Sequence, residues 1–587
     1  MLLGGCTQAR AFTASSARAA IPLVSVVPQP RSMYLAPGRY AWPPHVRVRV
    51  SDAPAAIVTQ QLRAYLHENG VAAAVVAPGA NADVALAISG RGDPRLGDEG
   101  YTLAVGVEGV TLHAHTQHGL FYALQTLEQL SVRTPSGFVT QAVTVADWPA
   151  YRWRGVQLDV ARHFFAVPVI ERAIDVAAHY KLNMLQWHLT DDQAWRLQSD
   201  RYPALGAGGA HYTPADVRSV VAYAARRYVT VVPEIDLPAH AAAALRAYPR
   251  LACGSSTLCT TGTGLAFARN VLGDAADAFP SLYLHGGGDE VPPPALARQP
   301  EFTRAIERTV EARGRRFVGW DEILGPGLSP RAVVMVWTAR DRAAQAARRG
   351  NDVVVASGPL YFDAAQGDAA QEPRASAHMS TLEEVYDDPI LPPGLSARES
   401  AHVLGAQANL WTERIATPQH LFYMLLPRAL ALSEIAWTPP QRKSWDSFVG
   451  RLPAQLAWLD AHRYPFRIPN AAFALSGAPT RFAAVRGHVQ AVEALTTAPA
   501  LMVTLSVPLD GAIIRYTVGG ATPSRSSPAY RGPLNVRVGS TPVVLRARTS
   551  FRGRTGAITE CRITRIAPAA LRARRGLSAT WSALVSP

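Results

Sequence analysis

Residues 285–290 read His-Gly-Gly-Gly-Asp-Glu. The glycine run lets the backbone bend off a strand and approach a ligand closely. Asp289 and Glu290 follow as adjacent carboxylates. Neighbouring side chains of a regular strand point to opposite faces, so both can serve one site only where a strand ends. Retaining cleavage of a glycosidic bond commonly uses two carboxyls ~5.5 Å apart across the sugar, and sequence neighbours are poorly placed for that. The pair better suits one general acid, one orienting carboxylate, and a nucleophile that the substrate itself brings. Two other readings stand beside it, a solvated acidic turn and a metal site. The metal site needs further convergent ligands, and Asp191, Asp236 and His240 are of the right type.

Trp320, Trp337 and Trp411 add to the first reading. Ordinary core packing accounts for any one tryptophan. Three at or near strand ends, beside carboxylates, offer faces for sugar C–H surfaces and an acetamido methyl.

These residues need a scaffold that brings them together. From Trp153 onward, eight apolar segments read as strands: 155–160, 184–189, 229–235, 282–284, 316–320, 332–337, 352–356 and 403–409. Helical patterns at 169–179, 214–226 and 305–312 separate several of them. Eight β/α units predict an α/β fold, a (β/α)₈ TIM barrel over 149–465. Such a barrel carries its functional groups at the C-terminal ends of its strands. Asp159 and Arg162 lie at the first such end; His188, Asp191 and Asp192 at the second; Glu234, Asp236 and His240 at the third. Asp289 and Glu290, Trp320, Trp337, Tyr361 with Asp363, and Trp411 with Glu413 follow at the remaining five.

Residues 22–148 mix strand and helix patterns as a small α+β domain, with strands at 46–50, 84–88 and 101–113 and helices at 55–69 and 118–130. Short alternating strands within 475–562, separated by Gly, Pro, Ser and Thr, predict a small β-sandwich. Residues 563–587 form a basic tail and 1–21 a clipped signal and linker. Net charge is +14, almost all from arginine spread along the chain apart from Arg572, Arg574 and Arg575. A nucleic-acid binder would concentrate that charge in one stripe, so nucleic acid is not an expected partner. A solvated surface or weak attraction to acidic cell-wall polymers accounts for it.

The barrel motifs resemble the family 20 glycoside hydrolases, the β-N-acetylhexosaminidases. The matching stretches are 153–165, 188–196 (His-Leu-Thr-Asp-Asp-Gln-Ala-Trp-Arg), 232–240 (Val-Pro-Glu-Ile-Asp-Leu-Pro-Ala-His), 287–290, 318–322, 361–363 and 409–413, in the family's order. The flanking domains resemble that family's N-terminal domain and its chitobiase-type C-terminal sandwich. The resemblance implies exo-acting removal of a terminal N-acetylhexosamine from a glycan, with neither cofactor nor metal. It makes Glu290 the general acid and then base, and Asp289 the carboxylate that orients the acetamido N–H. Tyr361 would hold the acetamido carbonyl, and Trp320, Trp337 and Trp411 would wall in the group. Arg162, Asp363 and Glu413 would grip sugar hydroxyls. Asp191 and His240 would form a relay tuning Glu290, so that the acid stays protonated near working pH.

Two residues depart from the family pattern: Gly286, where an aliphatic residue is usual, and Ala239, where glycine is. The first predicts a lost packing contact just before the catalytic pair. A catalytically weak sugar-binding protein and an endo-acting chitinase-like hydrolase are the alternatives. The Asp-x-x-Asp-x-Asp-x-Glu run of chitinase-like barrels is missing. Leu3-Gly4-Gly5-Cys6 looks like a clipped lipobox, which would place a lipid on Cys6 and the protein in a bacterial cell envelope, periplasmic or on the outer membrane. Cys253 and Cys259 are a candidate disulfide in such an oxidising compartment, or two buried thiols.

Overall fold

The computed structural model describes residues 24–51, 55–90, 92–367, 369–476, 480–484, 491–568 and 570. Cys6 and Arg572–Arg575 lie outside them. The chain divides into two compact units: Pro22–Ala364 with Ser376–Arg451, and Ala365–Ala375 with the residues from Leu452 onward.

In the first unit, eight parallel strands close into a barrel. They are β1 (Trp153–Asp159), β2 (Met184–His188), β3 (Thr230–Glu234), β4 (Tyr283–His285), β5 (Arg316–Trp320), β6 (Val333–Val336), β7 (Asp352–Val355) and β8 (Val403–Leu410), and β8 pairs back onto β1. Parallel strands are covered on both faces, which is why they read as continuous apolar runs; all seven residues of β1 and all eight of β8 are buried. Helices on the outer ring start where local chemistry dictates. Thr213 caps the helix Pro214–Ala225 in a reciprocal capping box with Asp216, behind a proline at the first turn. Trp153, Val232, Val318, Trp320, Val333, Met335 and Val354 fill the barrel interior.

An eight-stranded sheet with the helices Ala56–Glu68 and Gln117–Leu130 precedes the barrel within the same unit. Buried charges join the two. Lys181 Nζ lies 3.2 Å from Asp147 Oδ2 and donates to Tyr101 Oη (2.7 Å), while Trp437 Nε1 donates to Asp147 Oδ1 (2.9 Å). Lys181 and Asp147 are both fully buried. We expect Asp147→Ala to strand the Lys181 ammonium without its counter-charge. The loss is about 3–5 kcal/mol, read as a lower urea midpoint.

The second unit is a sandwich of a three-stranded and a five-stranded sheet. Its core holds Leu501, Val503, Leu505, Val536, Leu545, Ala547 and Ile563, with the thiol of Cys561 among them.

Candidate active site

The glycine run works by what its residues lack. β4 is only three residues long, and the chain leaves it still anchored on both sides: Ile235 N donates to His285 O, Gly286 N to Val318 O and Trp320 N to Gly287 O. Gly287 has φ +73, and a Cβ there would fall 1.8 Å from Asp236 Oδ1. Gly288 has φ +101 and abuts Ile323. The bend ends at Glu290, itself at φ +48, a left-handed conformation uncommon outside glycine. His240, facing it, has φ +52. Strained backbone at both positions fits a site that is over-determined by its surroundings.

The bend sends the adjacent carboxylates into different environments. The Asp289 side chain is 10% exposed and that of Glu290 60%. Burial pushes the Asp289 carboxyl above its ordinary value. Burial, and then the charge of Asp289, push Asp236 well up too.

His240 stands at the centre, with Nδ1 3.3 Å from Asp191 Oδ1, and Nε2 3.4 Å from Glu290 Oε2 and 3.6 Å from Asp289 Oδ2. The Asp191–His240–Glu290 relay is therefore assembled. Its effect runs opposite to the sequence expectation. Burial disfavours the imidazolium, but Asp191, Asp236 and Glu290 outweigh it and raise His240 far above its ordinary value. The hydrogen bond from that cation then holds Glu290 below the usual carboxylate range.

Asp191 is fixed from three sides, by His188 Nε2 (2.9 Å), Arg162 Nη2 (2.7 Å) and His240. Although burial opposes it, these cations hold its carboxyl far below the ordinary value. Ligand atoms of Asp191, Asp192 and His240 lie within 4.8 Å of one another, as do those of Asp236, His240 and Asp289. The carboxylates thus converge as a metal centre would require, yet those of Asp191 are already matched by Arg162 and His188.

The aromatic residues gather as expected. Trp320 is buried in the barrel cluster, with half-buried Trp337 and Trp411 packed against it. The rings of Trp320 and Trp411 are 5.7 Å apart. Tyr361 Oη donates to Trp337 O, so a turn of its hydroxyl is needed before it can serve another acceptor. Arg162 spans Asp159 (3.3 Å) and Glu413 (3.7 Å), with its guanidinium over Trp411. Asp363 is held above its ordinary value by burial, and Glu413 adds to that.

The sequence reading placed Glu234 at a strand end and Asp321 and Glu322 in a matched stretch without giving them a role, and it passed over Arg428. Glu234, fully buried, accepts from Gln186 (2.7 Å) and Trp320 Nε1 (3.0 Å) and lies 2.8 Å from His188 Nδ1. A carboxylate in the apolar run Val231–Ile235 was the available signal. Asp321 accepts from Trp337 N (3.0 Å) and Thr338 N (3.2 Å), tying the end of β5 to that of β6. Glu322 accepts from Trp337 Nε1 (3.0 Å), and burial pushes its carboxyl to about 7. Arg428, fully buried, donates to the carbonyls of Phe362 (2.6 Å), Ala364 (3.1 Å) and Ser380 (2.9 Å). It thereby clamps the loop bearing Tyr361 and Asp363. Its signal was a charge in a largely apolar helix, Arg428–Trp437, whose other charged residue is Glu434.

Cys253 and Cys259 form a disulfide. The loop it closes braces the His240 segment, since Leu258 N donates to Pro238 O and Ala241 N to Ser256 O. Ala239 packs on Val291 and Ala295 beside the catalytic loop.

Glycosyl hydrolase family 20 is matched by two family models: its catalytic domain over residues 151–304 and 295–440, and its domain 2 over 23–148. The chain belongs to glycosyl hydrolase family 20. A chitobiase/β-hexosaminidase C-terminal domain matches 494–559. The family 20 β-N-acetylhexosaminidase of Streptomyces coelicolor A3(2) superposes with a TM-score of 0.71 at 32% identity, covering 76% of this chain and 97% of that one. The exo-β-N-acetylglucosaminidase of Vibrio harveyi, solved with N-acetylglucosamine, gives 0.70 at 27% identity over 76% of this chain and 78% of its own. A β-hexosaminidase of Porphyromonas gingivalis is 36% identical over 493 residues, 75% of this chain; the chain spans 62% of that relative's length.

The structure corrects the consequence expected of Gly286. A Cβ there would lie 2.5 Å from Phe317 Cε2 and 3.4 Å from Ile306 Cδ1. No packing is lost, because Phe317 fills the space. Gly286→Val therefore does not restore anything. We expect it to cost about 1–3 kcal/mol by overpacking, seen as a lower melting midpoint without a gain in kcat.

Proposed function

We propose that the protein removes a β-linked N-acetylhexosamine from the non-reducing end of a glycan with retention of configuration, the substrate's acetamido oxygen acting as nucleophile. The observation that carries this reading is the division between the neighbouring carboxylates: the Glu290 side chain is largely exposed, while Asp289 is buried beside His240 and Asp236.

Protonated Glu290 donates its proton to the glycosidic oxygen as the C1–O bond breaks. The acetamido carbonyl oxygen attacks C1, and the ring that closes is an oxazolinium. The carboxylate of Asp289 accepts the acetamido N–H and offsets the developing positive charge. Tyr361 holds the acetamido oxygen, and Trp320, Trp337 and Trp411 enclose the methyl. Glu290, now a carboxylate, takes a proton from water as that water attacks C1 and reopens the ring. Arg162, Asp363 and Glu413 bind the sugar hydroxyls. The test is the product of a chitooligosaccharide digest. Single N-acetylglucosamine residues, β-configured when first released, support the reading; internal cleavage to larger fragments refutes it.

His240 sets the pH response. In the free enzyme its positive charge stabilises ionised Glu290, and ionised Glu290 cannot act as the acid. kcat/KM therefore falls as pH rises through the lowered Glu290 value. His240→Asn removes both the hydrogen bond and the charge, so Glu290 rises and the alkaline limb of the kcat/KM profile moves to higher pH. An unmoved or downward-shifted limb contradicts this.

The same reading assigns the protein to the cell envelope. An oxidising compartment suits the Cys253–Cys259 pair, and Leu3–Cys6 has the sequence of a lipid-attachment site. Among the described residues no helix is long and apolar enough to cross a membrane. Lipid on Cys6 is the proposed anchor, and Cys6→Ala would release the protein from the membrane fraction.

A further inference from the structure

The C-terminal unit carries a concave site of its own. Arg515 on the strand Ile513–Val518 and Arg548 on the strand Val543–Phe551 are register partners in the five-stranded sheet. Like charges set directly opposite on a sheet repel. Each is instead held by a main-chain carbonyl: Arg515 Nη1 donates to Ser527 O (2.6 Å) and Arg548 Nε to Gly556 O (2.9 Å). Nearby Arg546, Arg552 and Arg554 are ion-paired with Glu560 or Asp460. Among the described residues, Arg515, Arg525 and Arg548 have no carboxylate partner. These three arginines, with Ser524, Ser550 and Thr555, line a cleft of about 270 Å³. The hydroxyls of Ser524, Ser526 and Ser527 order the turn that presents Arg525.

The surroundings share this bias. Residues 491–568 contain ten arginines and no lysine against Glu493, Asp510 and Glu560, a net +7 of the chain's +14. Arginine is spread along the sequence, but in this domain acidic residues do not offset it.

We propose that this cleft binds an anionic substituent of an acidic glycan: a carboxylate, sulfate or phosphate carried on a sugar. Planar guanidinium groups match the oxygens of such anions two at a time, as lysine does not. Serine and threonine hydroxyls both donate and accept, as sugar hydroxyls require. No aromatic side chain lines the cleft, so it lacks the stacking platform that single-stranded nucleic acids use. Its volume sits just below the ~300 Å³ at the lower end of ligand pockets, which suits one sugar unit rather than a long stretch of polymer. The choice of a glycan rests in part on the hydrolase reading above.

The test uses the full chain at low salt, measuring affinity for polygalacturonate, dextran sulfate and a phosphate-bearing teichoic acid, with neutral dextran and single-stranded DNA alongside. The three acidic polymers distinguish which oxyanion the cleft prefers. Arg515→Gln/Arg548→Gln should weaken binding of the preferred polymer by about tenfold or more. Arg531→Gln, an exposed arginine outside the cleft, should change it less than about twofold. Hydrolysis of an aryl N-acetyl-β-glucosaminide should be unchanged in every variant. Arg525→Gln, on an exposed loop, carries the test if the double variant does not fold. Equal weakening by the cleft and control substitutions would show diffuse charge and overturn the site. So would binding to none of the acidic polymers, or binding to DNA as tight as to the best glycan. Glycan binding by a protein without hydrolase activity would instead count against the hydrolase reading.

Discussion

Glu290→Gln is expected to lower kcat/KM on a chitooligosaccharide by about 10²–10⁴-fold, the range for a lost general acid. Glutamine keeps the side chain's size and can still meet His240 Nε2, now 3.4 Å from the Glu290 carboxylate. The side chain is largely exposed, so the fold has little to lose. The loss should depend on the leaving group. An aryl group that departs as a stabilised phenolate needs little protonation, so the first step suffers less there than with a sugar leaving group. A defect of the same size for every leaving group would mean that Glu290 supports the site in another way. Melting curves that superpose on wild type separate lost chemistry from lost structure.

Asp289→Asn is the second large effect. The amide keeps the shape but cannot offset the positive charge that develops on the acetamido group. Removing one such electrostatic contact costs about 10²–10³-fold in kcat. KM should change far less, because the charge appears only as the ring closes. The buried position adds a second observable. Asp289 and Asp236 are both pushed above their ordinary values, by burial first. Asparagine at 289 removes one of these buried acids, so the variant should be at least as stable as wild type. A variant that keeps full kcat, or that loses activity only by unfolding, contradicts the assigned role.

The barrel was legible because its physics is local. Parallel strands buried on both faces produce apolar runs, and the expected segments fall within a few residues of β1–β8. The N-terminal sheet was only partly legible. Its strand Ser32–Ala41 carries Pro37-Gly38 at a register shift and exposes Tyr34 and Leu35, so it reads as a turn rather than a strand. Catalytic candidates were visible because barrel geometry requires polar groups at strand ends. The roles of their supports were not. Glu234 stood out at a strand end and Arg428 as a charge in a largely apolar helix, but both act through partners distant in sequence, and nothing local shows that one will meet Trp320 or the other cap three carbonyls. Gly286 shows the converse limit: its missing side chain looked like a void, and a ring from β5 occupies it. The relay was implied by the family resemblance, but the sign of its effect needed the exposure of Glu290 and the four carboxylates around His240.

The central claim is that the substrate's own acetamido oxygen is the nucleophile. The most direct measurement is kcat/KM on aryl N-acetyl-β-glucosaminides whose acyl methyl carries none, one, two or three fluorines, with the aryl β-glucoside in parallel. Fluorine withdraws electrons from the carbonyl oxygen. The account predicts a steep fall in rate with each fluorine and no turnover of the glucoside. Rates independent of fluorination, with the glucoside hydrolysed as fast as the acetamido sugar, would mean that a protein group attacks C1, and the account would be wrong.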